Sequence, residues 1–164
     1  MNRKTLLIVG VIAAIAVLAV IVYLLAAAVL GPAGQLRELD ANAQKWQSQN
    51  ITHYRMKVGI GCFCPFYDRM PLTVEVLDGK VLSVTDSQGQ PVPEDDPIRL
   101  HGNEGLLTIE GIFGYARQAI EKADETTVDY DPYLGYPVSL GIDQIKRAMD
   151  DELSVAVTDL HALP

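Results

Sequence analysis

The chain opens with an apolar run that is longer than any other in the sequence. From Leu6 to Leu30 there are 25 residues without a charge, and all of them except Gly10 are apolar. A helix rises about 1.5 Å per residue, and the hydrocarbon core of a bilayer is about 30 Å thick. The run therefore predicts one transmembrane helix over residues 6–30, with the lipid bilayer as its partner.

The residues that flank this run predict its orientation. Arg3 and Lys4 stand immediately before it, so the positive-inside rule keeps the N-terminus in the cytoplasm and exports the chain beyond Leu30. The alternative is a cleaved signal peptide, whose apolar core usually has about 7–15 residues, and the longer run favours an uncleaved signal anchor in the cell membrane. The predicted parts are a cytoplasmic N-terminus at 1–5, the anchor at 6–30, a linker at 31–34 and an extracytoplasmic domain at 35–164.

After the linker, the spacing of apolar residues changes from helical to alternating. A helix is predicted up to about Gln49, on an apolar stripe made of Leu36, Leu39, Ala43 and Trp46. Strict alternation then predicts a half-buried strand that ends at Pro65. The inward-facing residues of that strand are Tyr54, Met56, Val58, Ile60, Cys62 and Cys64.

Residues 72–84 alternate again around Asp78-Gly79, a dipeptide typical of hairpin turns. A two-residue turn would leave Leu82 and Val84 on the face opposite the other apolar residues. A three-residue loop with Gly79 in the left-handed region keeps the apolar residues together, and we predict that bulged loop. The predicted pairs are Val74 with Leu82 and Leu72 with Val84.

The second half of the domain repeats the order of one helix and three strands. After a loop at 86–105, which is rich in Pro and Gly, Thr108 is predicted to cap a helix at its N-terminus. The buried stripe of this helix is predicted to be Ile109, Ile112, Phe113, Ala116, Ile120 and Ala123. Strands are predicted at 126–130, 138–143 and 154–159.

This order of elements predicts an α+β fold. We expect an antiparallel sheet with helices packed on one face, in the order α-β-β-β-α-β-β-β after the transmembrane helix. The run of short hairpins argues against a parallel, nucleotide-binding sheet.

Charge and motifs narrow the class of function. Without residues 1–30 the chain has 11 basic and 21 acidic residues, a formal charge of -10, which argues against a nucleic-acid partner. The sequence has no nucleophile-elbow, zinc-protease, phosphate-loop or dinucleotide motif. We therefore predict no cofactor, and we expect a protein that is not an enzyme.

Several of these segments resemble one known family. They are Tyr54 followed by Cys62-Phe63-Cys64-Pro65, the turn Asp78-Gly79-Lys80-Val81, Thr108-Ile109, and above all Tyr130-Asp131-Pro132-Tyr133-Leu134-Gly135-Tyr136-Pro137, followed by Asp143 and Asp150-Asp151-Glu152. On these residues the stretch 46–159 resembles an exported bacterial family catalogued as domain of unknown function 6174. The resemblance implies an exported location and a shared fold, and it implies no activity.

Cys62 and Cys64 are the only cysteines, and outside the cytoplasm two nearby thiols tend to oxidise. On an extended strand their Cα atoms would be about 6.6 Å apart, near the upper limit for a disulfide. The bond therefore requires a local kink, which Gly61 and Pro65 favour. We predict a structural disulfide that closes the end of the first strand.

Two other functions for the cysteine pair stay open. A thiol-disulfide redox protein would use Cys62 and Cys64 directly, although no Lys or Arg lies close in sequence to lower a thiol pKa. A zinc site would need two further ligands. His53 falls on the opposite face of the strand, and His101 lies in the long loop.

Two further groups are candidate binding residues. Hard oxygen ligands at Asp143, Asp150, Asp151 and Glu152 form a weak calcium candidate, because their spacing does not match an EF-hand loop. An aromatic turn at Tyr133, Tyr136 and Pro137 is a candidate interaction surface, since exposed Tyr is favoured at interfaces. The alternative for these aromatic residues is that they brace the hairpin.

Together with the resemblance, which implies a bacterial source, these patterns predict a single-pass membrane protein of the bacterial cell envelope. We expect its extracytoplasmic domain to be a non-catalytic binding module with an envelope protein as partner. The alternative is a thiol-disulfide redox protein.

Overall fold

The structure is a computed structural model of the chain. It divides the chain into two compact units, Met1–Arg37 and Glu38–Pro164. The residues that it describes are 12, 15–24, 29, 31–99 and 103–164, of which 103 and 104 are described by their backbone alone.

In the first unit, residues 15–24 are helical and their apolar side chains are exposed. About half of the predicted span at 6–30 lies outside the described residues. Among the residues that are described, no helix is both long and apolar enough to cross a membrane.

Two α-helices contain the predicted helical stripes. Helix α1 is Pro32–Ser48, so it begins within the predicted linker at 31–34, and it buries Leu39 and Trp46 of the predicted stripe. Helix α2 is Ile109–Lys122, and the hydroxyl of Thr108 accepts a hydrogen bond from the Gly111 amide at 3.1 Å, as expected of an N-cap residue. Two short 3-10 helices occupy Tyr67–Arg69 and Asn103–Leu107.

Six strands form one antiparallel sheet in the order β3-β2-β1-β6-β5-β4. The central pair, β1 with β6, joins the first three strands to the last three. The predicted element order and the antiparallel sheet are thus confirmed. The strands are β1 His53–Gly61, β2 Leu72–Leu77, β3 Lys80–Thr85, β4 Glu125–Tyr130, β5 Pro137–Asp143 and β6 Glu152–Ala162.

The core lies between the sheet and the two helices. Alternate residues of β1 are buried, as the alternating pattern predicts. One of them, Tyr54, contacts both helices, which therefore lie on this face of the sheet. Its ring packs edge-on against Trp46 of α1 with centroids 5.6 Å apart, and its hydroxyl accepts a hydrogen bond from the first amide of α2, at Ile109. We call the opposite face of the sheet the open face.

The hairpin between β2 and β3 corrects one prediction. Asp78 and Gly79 have φ values of 48° and 72° and form a two-residue turn, which matches the twist of the flanking strands. A β-bulge follows in β3, so that Leu82 is 54% exposed and Val84 returns to the buried face opposite Val74. The three-residue loop and its predicted pairs, Val74 with Leu82 and Leu72 with Val84, are therefore wrong.

Candidate functional site

Strand β1 ends four residues before the predicted end at Pro65, because the chain turns at the cysteine pair. Cys62 and Cys64 form a disulfide with their Cα atoms 5.2 Å apart, closer than on an extended strand. The Cys64 amide donates a hydrogen bond to the Cys62 carbonyl at 2.8 Å. The predicted kink and disulfide are thus present. We call residues 62–65 the disulfide loop.

The disulfide loop holds an aromatic side chain in solvent. Phe63, between the two bonded cysteines, is 85% exposed, and Tyr67 beyond the loop is 73% exposed. The backbone around them is fixed, because Phe66 is buried and Arg69 makes two hydrogen bonds to the Asp96 carboxylate, at 2.9 and 3.1 Å. Two large apolar surfaces are therefore displayed on an anchored segment.

Beside the loop, the open face of β1, β6 and β5 carries only small side chains in two adjacent rows, and on β4 the first row continues with Asp129, whose carboxylate accepts a hydrogen bond from the Ser139 hydroxyl at 2.7 Å. The register places Gly59, Ala156 and Ser139 side by side in one row, and Gly61, Ser154 and Gly141 in the next. We call these six residues the small-residue shelf. Tyr67 and Met70 form a wall along it, and the shelf and wall together line an open groove of about 460 Å³.

The row after the shelf consists of acidic residues. Glu152 of β6 pairs with Asp143 of β5, which pairs with Glu125 of β4. We call these three residues the acidic row. Together with Cys62 and Phe63 they line an open pocket of about 580 Å³.

Asp143 lies in the middle of the acidic row, and its pKa shows the effect of the negative charges around it. Partial burial, followed by the charges of Asp151, Glu152 and other nearby carboxylates, raises the pKa of Asp143. Its Oδ1 atom is buried without a hydrogen-bond partner. At the end of the row, Lys146 Nζ lies 2.9 Å from the Glu125 carboxylate. The pocket is thus suited to a positively charged group.

The weak calcium candidate finds no support in the part of the chain that the structure describes. There, no three His, Cys, Asp or Glu residues are grouped so that they could hold a metal ion. Asp151 Oδ2 instead accepts the Ile145 amide at 2.8 Å, and Asp150 adopts a left-handed conformation with φ of 67°. These two residues shape the turn before β6, while Asp143 and Glu152 belong to the acidic row.

The surroundings of the two cysteines argue against both alternative functions, a zinc site and thiol-disulfide exchange. A disulfide offers no thiolates to zinc, His53 binds Glu75 at 3.1 Å far from the loop, and His101 lies outside the described residues. The carboxylates beside Cys62 would disfavour the thiolate anion that thiol-disulfide exchange requires. This geometry favours a structural disulfide.

The aromatic turn corrects a second prediction. Tyr136 and Pro137 are buried, and the Tyr136 ring packs edge-on against Trp46 with centroids 5.9 Å apart. Only Tyr133 is exposed, at 81%. Tyr136 and Pro137 therefore brace the core, because the chain after the turn enters β5 on the buried face, and the predicted interaction surface is reduced to Tyr133.

Sequence reasoning missed the shelf and Glu125. The signal that could have found the shelf is glycine inside strand patterns, at Gly59, Gly61 and Gly141, because such glycines often mark close approach of another backbone. The acidic row could not be found in this way, since it depends on which strands are neighbours.

Comparison with known proteins identifies a family for this chain. The model of a family described as a family of unknown function (DUF6174) matches residues 38–162. No curated protein and no solved structure matches the chain.

Proposed function

The chain belongs to the DUF6174 family, whose function is unknown, and from this premise we propose that it is a non-catalytic binding module of the bacterial cell envelope. Its binding surface is the disulfide loop together with the neighbouring open face of the sheet. The observation that carries the proposal is Phe63, which is 85% exposed between two bonded cysteines.

The way in which Phe63 is held supports binding. Phe63 and Tyr67 expose their rings around one depression beside the disulfide, and a contiguous exposed apolar patch of this kind is typical of a contact surface. Because the disulfide and the buried Phe66 restrain the loop before a partner arrives, less conformational entropy is lost on binding.

The location is proposed from the N-terminal run. Residues 6–30 would anchor the chain in the cell membrane, with the N-terminus in the cytoplasm and the domain outside it. The helical residues 15–24, with their exposed apolar side chains, suit a lipid environment. A disulfide suits an oxidising compartment.

Site-specific photocrosslinking in living cells tests the binding surface. The photoreactive residue p-benzoylphenylalanine is placed at position 63 of the full chain and, as a control, at the exposed position 121 on α2. We expect position 63 to capture a defined envelope protein, identified by mass spectrometry, and position 121 not to capture it. Equal capture at the two positions, or none at either, would contradict the proposal.

The thiol-disulfide redox function remains the alternative, and it is tested separately. The double variant Cys62→Ser/Cys64→Ser should lower thermal stability and weaken capture by the photoreactive residue at position 63, because the loop is no longer closed by the disulfide. If the full chain, with dithiothreitol as the electron donor, catalyses reduction of a model disulfide with turnover, and the double variant loses that activity while remaining folded, the redox function replaces the binding module.

A further inference from the structure

We infer that the outer edge of β4 binds an extended segment of a partner protein by antiparallel strand addition, and that this segment carries two basic residues four positions apart. The surface does not include Phe63, so the inference goes beyond the proposed function. It is carried by the direction of the backbone groups of β4 and by the charges of Glu125 and Asp129 along the same edge.

The backbone of β4 presents an unpaired edge, because β4 is the last strand of the sheet. Successive residues of an antiparallel strand direct their amide and carbonyl groups to alternate sides. The Asp124 amide donates to the Gln144 carbonyl at 3.3 Å, so every second residue from Asp124 onward faces β5. The residues between them direct both groups away from the sheet, and no backbone hydrogen bond in the described part of the chain reaches those groups. These outward residues are Glu125, Thr127 and Asp129.

The opposite edge of the sheet, at β3, is covered. There the Val92 amide donates to the Val84 carbonyl at 2.8 Å, Thr85 pairs with Pro91, and a β-bulge distorts the rest of the edge. Among the described residues nothing pairs with the outer side of β4, whose register is regular over residues 125–129. Three of the six residues of β4 are β-branched, which favours the extended conformation. Such an edge is suited to the addition of a further strand.

Two carboxylates set the charge of the occupant. Glu125 and Asp129 stand at the two ends of the outward run, and both are exposed. Lys146 Nζ lies 2.9 Å from Glu125, and the Ser139 hydroxyl donates to Asp129 at 2.7 Å. In an added strand the residues opposite these two carboxylates are four positions apart, so a Lys or Arg at each would form a cross-strand ion pair.

A second copy of the chain fits this edge less well. The register that joins all the outward groups of two copies sets Thr127 opposite Thr127 and Glu125 opposite Asp129, once at each end. Like charges directly opposite one another destabilise a sheet, so this pairing is opposed at both ends. The same two carboxylates thus disfavour a second copy and select a basic segment.

The test uses the full chain in nanodiscs of phosphatidylcholine, a lipid without net charge. The probe is a fluorescein-labelled peptide with the sequence Lys-Val-Thr-Val-Lys between Gly-Ser ends, and its fluorescence anisotropy is measured against protein concentration. A peptide with Ser in place of each Lys is the charge control. We expect saturable 1:1 binding of the Lys peptide and about tenfold weaker binding of the Ser peptide, the scale of two exposed ion pairs.

Methylation of the peptide backbone distinguishes strand addition from attraction between charges alone. Opposite the outward residues of β4, the two Lys and the Thr of the peptide direct their amides toward the sheet, whereas the amides of the two Val point away. N-methylation of the Thr should therefore abolish binding, and N-methylation of a Val should be tolerated. Equal loss with both methylated peptides, or no loss with either, would contradict strand addition.

Variants of the chain locate the binding. Thr127→Pro removes an outward amide that the sheet does not use, and it should abolish binding of the Lys peptide. The methylated peptides test the same edge in the unmodified chain, whatever Thr127→Pro does to the fold. Asp129→Asn should weaken binding about threefold, the scale of one exposed ion pair. The matched control Asp95→Asn, at an exposed position after β3, should bind the peptide like the unmodified chain.

Four results would overturn the inference: no binding of the Lys peptide, equal binding of the Ser and Lys peptides, equal loss in Asp95→Asn and Asp129→Asn, or self-association in sedimentation velocity that Thr127→Pro abolishes. Photocrosslinking at position 63 reports on the disulfide loop instead. If position 63 captures a defined protein while the Lys peptide fails to bind, the inference fails and the binding module stands.

Discussion

The hydroxyl of Tyr54 joins β1 to the first turn of α2. It accepts a hydrogen bond from the Ile109 amide at 3.0 Å and donates to Glu110 Oε2 at 3.3 Å, while Trp46 Nε1 donates to Glu110 Oε1 at 2.9 Å. Burial raises the pKa of Tyr54 far above its usual value, so the phenol stays protonated. One hydroxyl thus satisfies an amide at a helix N-terminus, where such amides lack partners within the helix.

Tyr54→Phe should lower the free energy of unfolding by about 1–3 kcal/mol, because the buried Ile109 amide loses its acceptor. The measurement is urea denaturation followed by the fluorescence of Trp46, the single tryptophan. Tyr67→Phe, at an exposed position, removes the same atom and should leave the unfolding curve unchanged. Equal effects of the two variants would show that the amide does not depend on Tyr54.

His53 predicts a dependence of stability on pH. Its ring shares hydrogen bonds with the Pro164 carbonyl at 2.9 Å and with Glu75 at 3.1 Å, and these two partners, in that order, raise the pKa of His53 above 6.5. The stabilisation is therefore fully present below pH 6.5 and is lost as pH rises through the raised pKa.

The corresponding measurement compares the full chain with His53→Gln in urea at pH 5.5 and pH 8.5. The difference in unfolding free energy between the two proteins should be larger at pH 5.5, since charged His53 then contributes to the unmodified chain alone. The other histidines are common to both proteins and cancel. A difference that is the same at both pH values would contradict the assignment.

At the scale of elements, two glycines of α2 differ in a way that the sequence does not reveal. From the sequence, Gly111 and Gly114 each weaken the helix by about 1 kcal/mol relative to Ala. In the fold, a Cβ atom on Gly111 would overlap the carbonyl oxygen of Gly105, whereas a Cβ on Gly114 would have no atom within 4 Å. Gly111 therefore permits the close approach of the 3-10 helix Asn103–Leu107, and Gly114 has no such role.

This difference predicts two opposite effects of one substitution. Gly114→Ala should raise the free energy of unfolding by about 1 kcal/mol through helix propensity. Gly111→Ala should lower it by about 1–3 kcal/mol, because the backbone must shift to remove the overlap. Thermal denaturation of the two variants, measured beside the unmodified chain, tests both effects. If both variants are stabilised, the packing of α2 against Gly105 is not as described.

At the scale of the whole molecule, the proposed anchor makes a prediction about fractionation. The full chain should remain in the membrane pellet after extraction with alkaline carbonate, and a chain that lacks residues 6–30 should be released. Protease added outside spheroplasts should digest the domain of the full chain, since the domain is proposed to lie outside the cytoplasm. Release of the full chain by carbonate would contradict the anchor.

Much of the fold could be predicted from the sequence because it depends on local patterns. The helical stripe with Leu39 and Trp46, the cap at Thr108 and the alternation in β1 each lie within one short segment, and the structure confirms them. The end of β1 and the register of the β2–β3 hairpin were predicted wrongly. The end of β1 depends on the disulfide turn, and the register of the hairpin depends on a β-bulge. Neither feature changes the alternation of apolar residues around it, so the sequence pattern does not reveal it.

By itself the sequence determined the class of the protein: an apolar N-terminal run, then an acidic α+β domain with one cysteine pair. Only the tertiary structure decided which residues meet. The pairing of β1 with β6 brings Gly59 beside Ala156 although 97 positions separate them in the sequence. Periodicity reports which face a residue occupies, whereas neighbours across a sheet follow from the pairing of distant strands, which no local pattern contains.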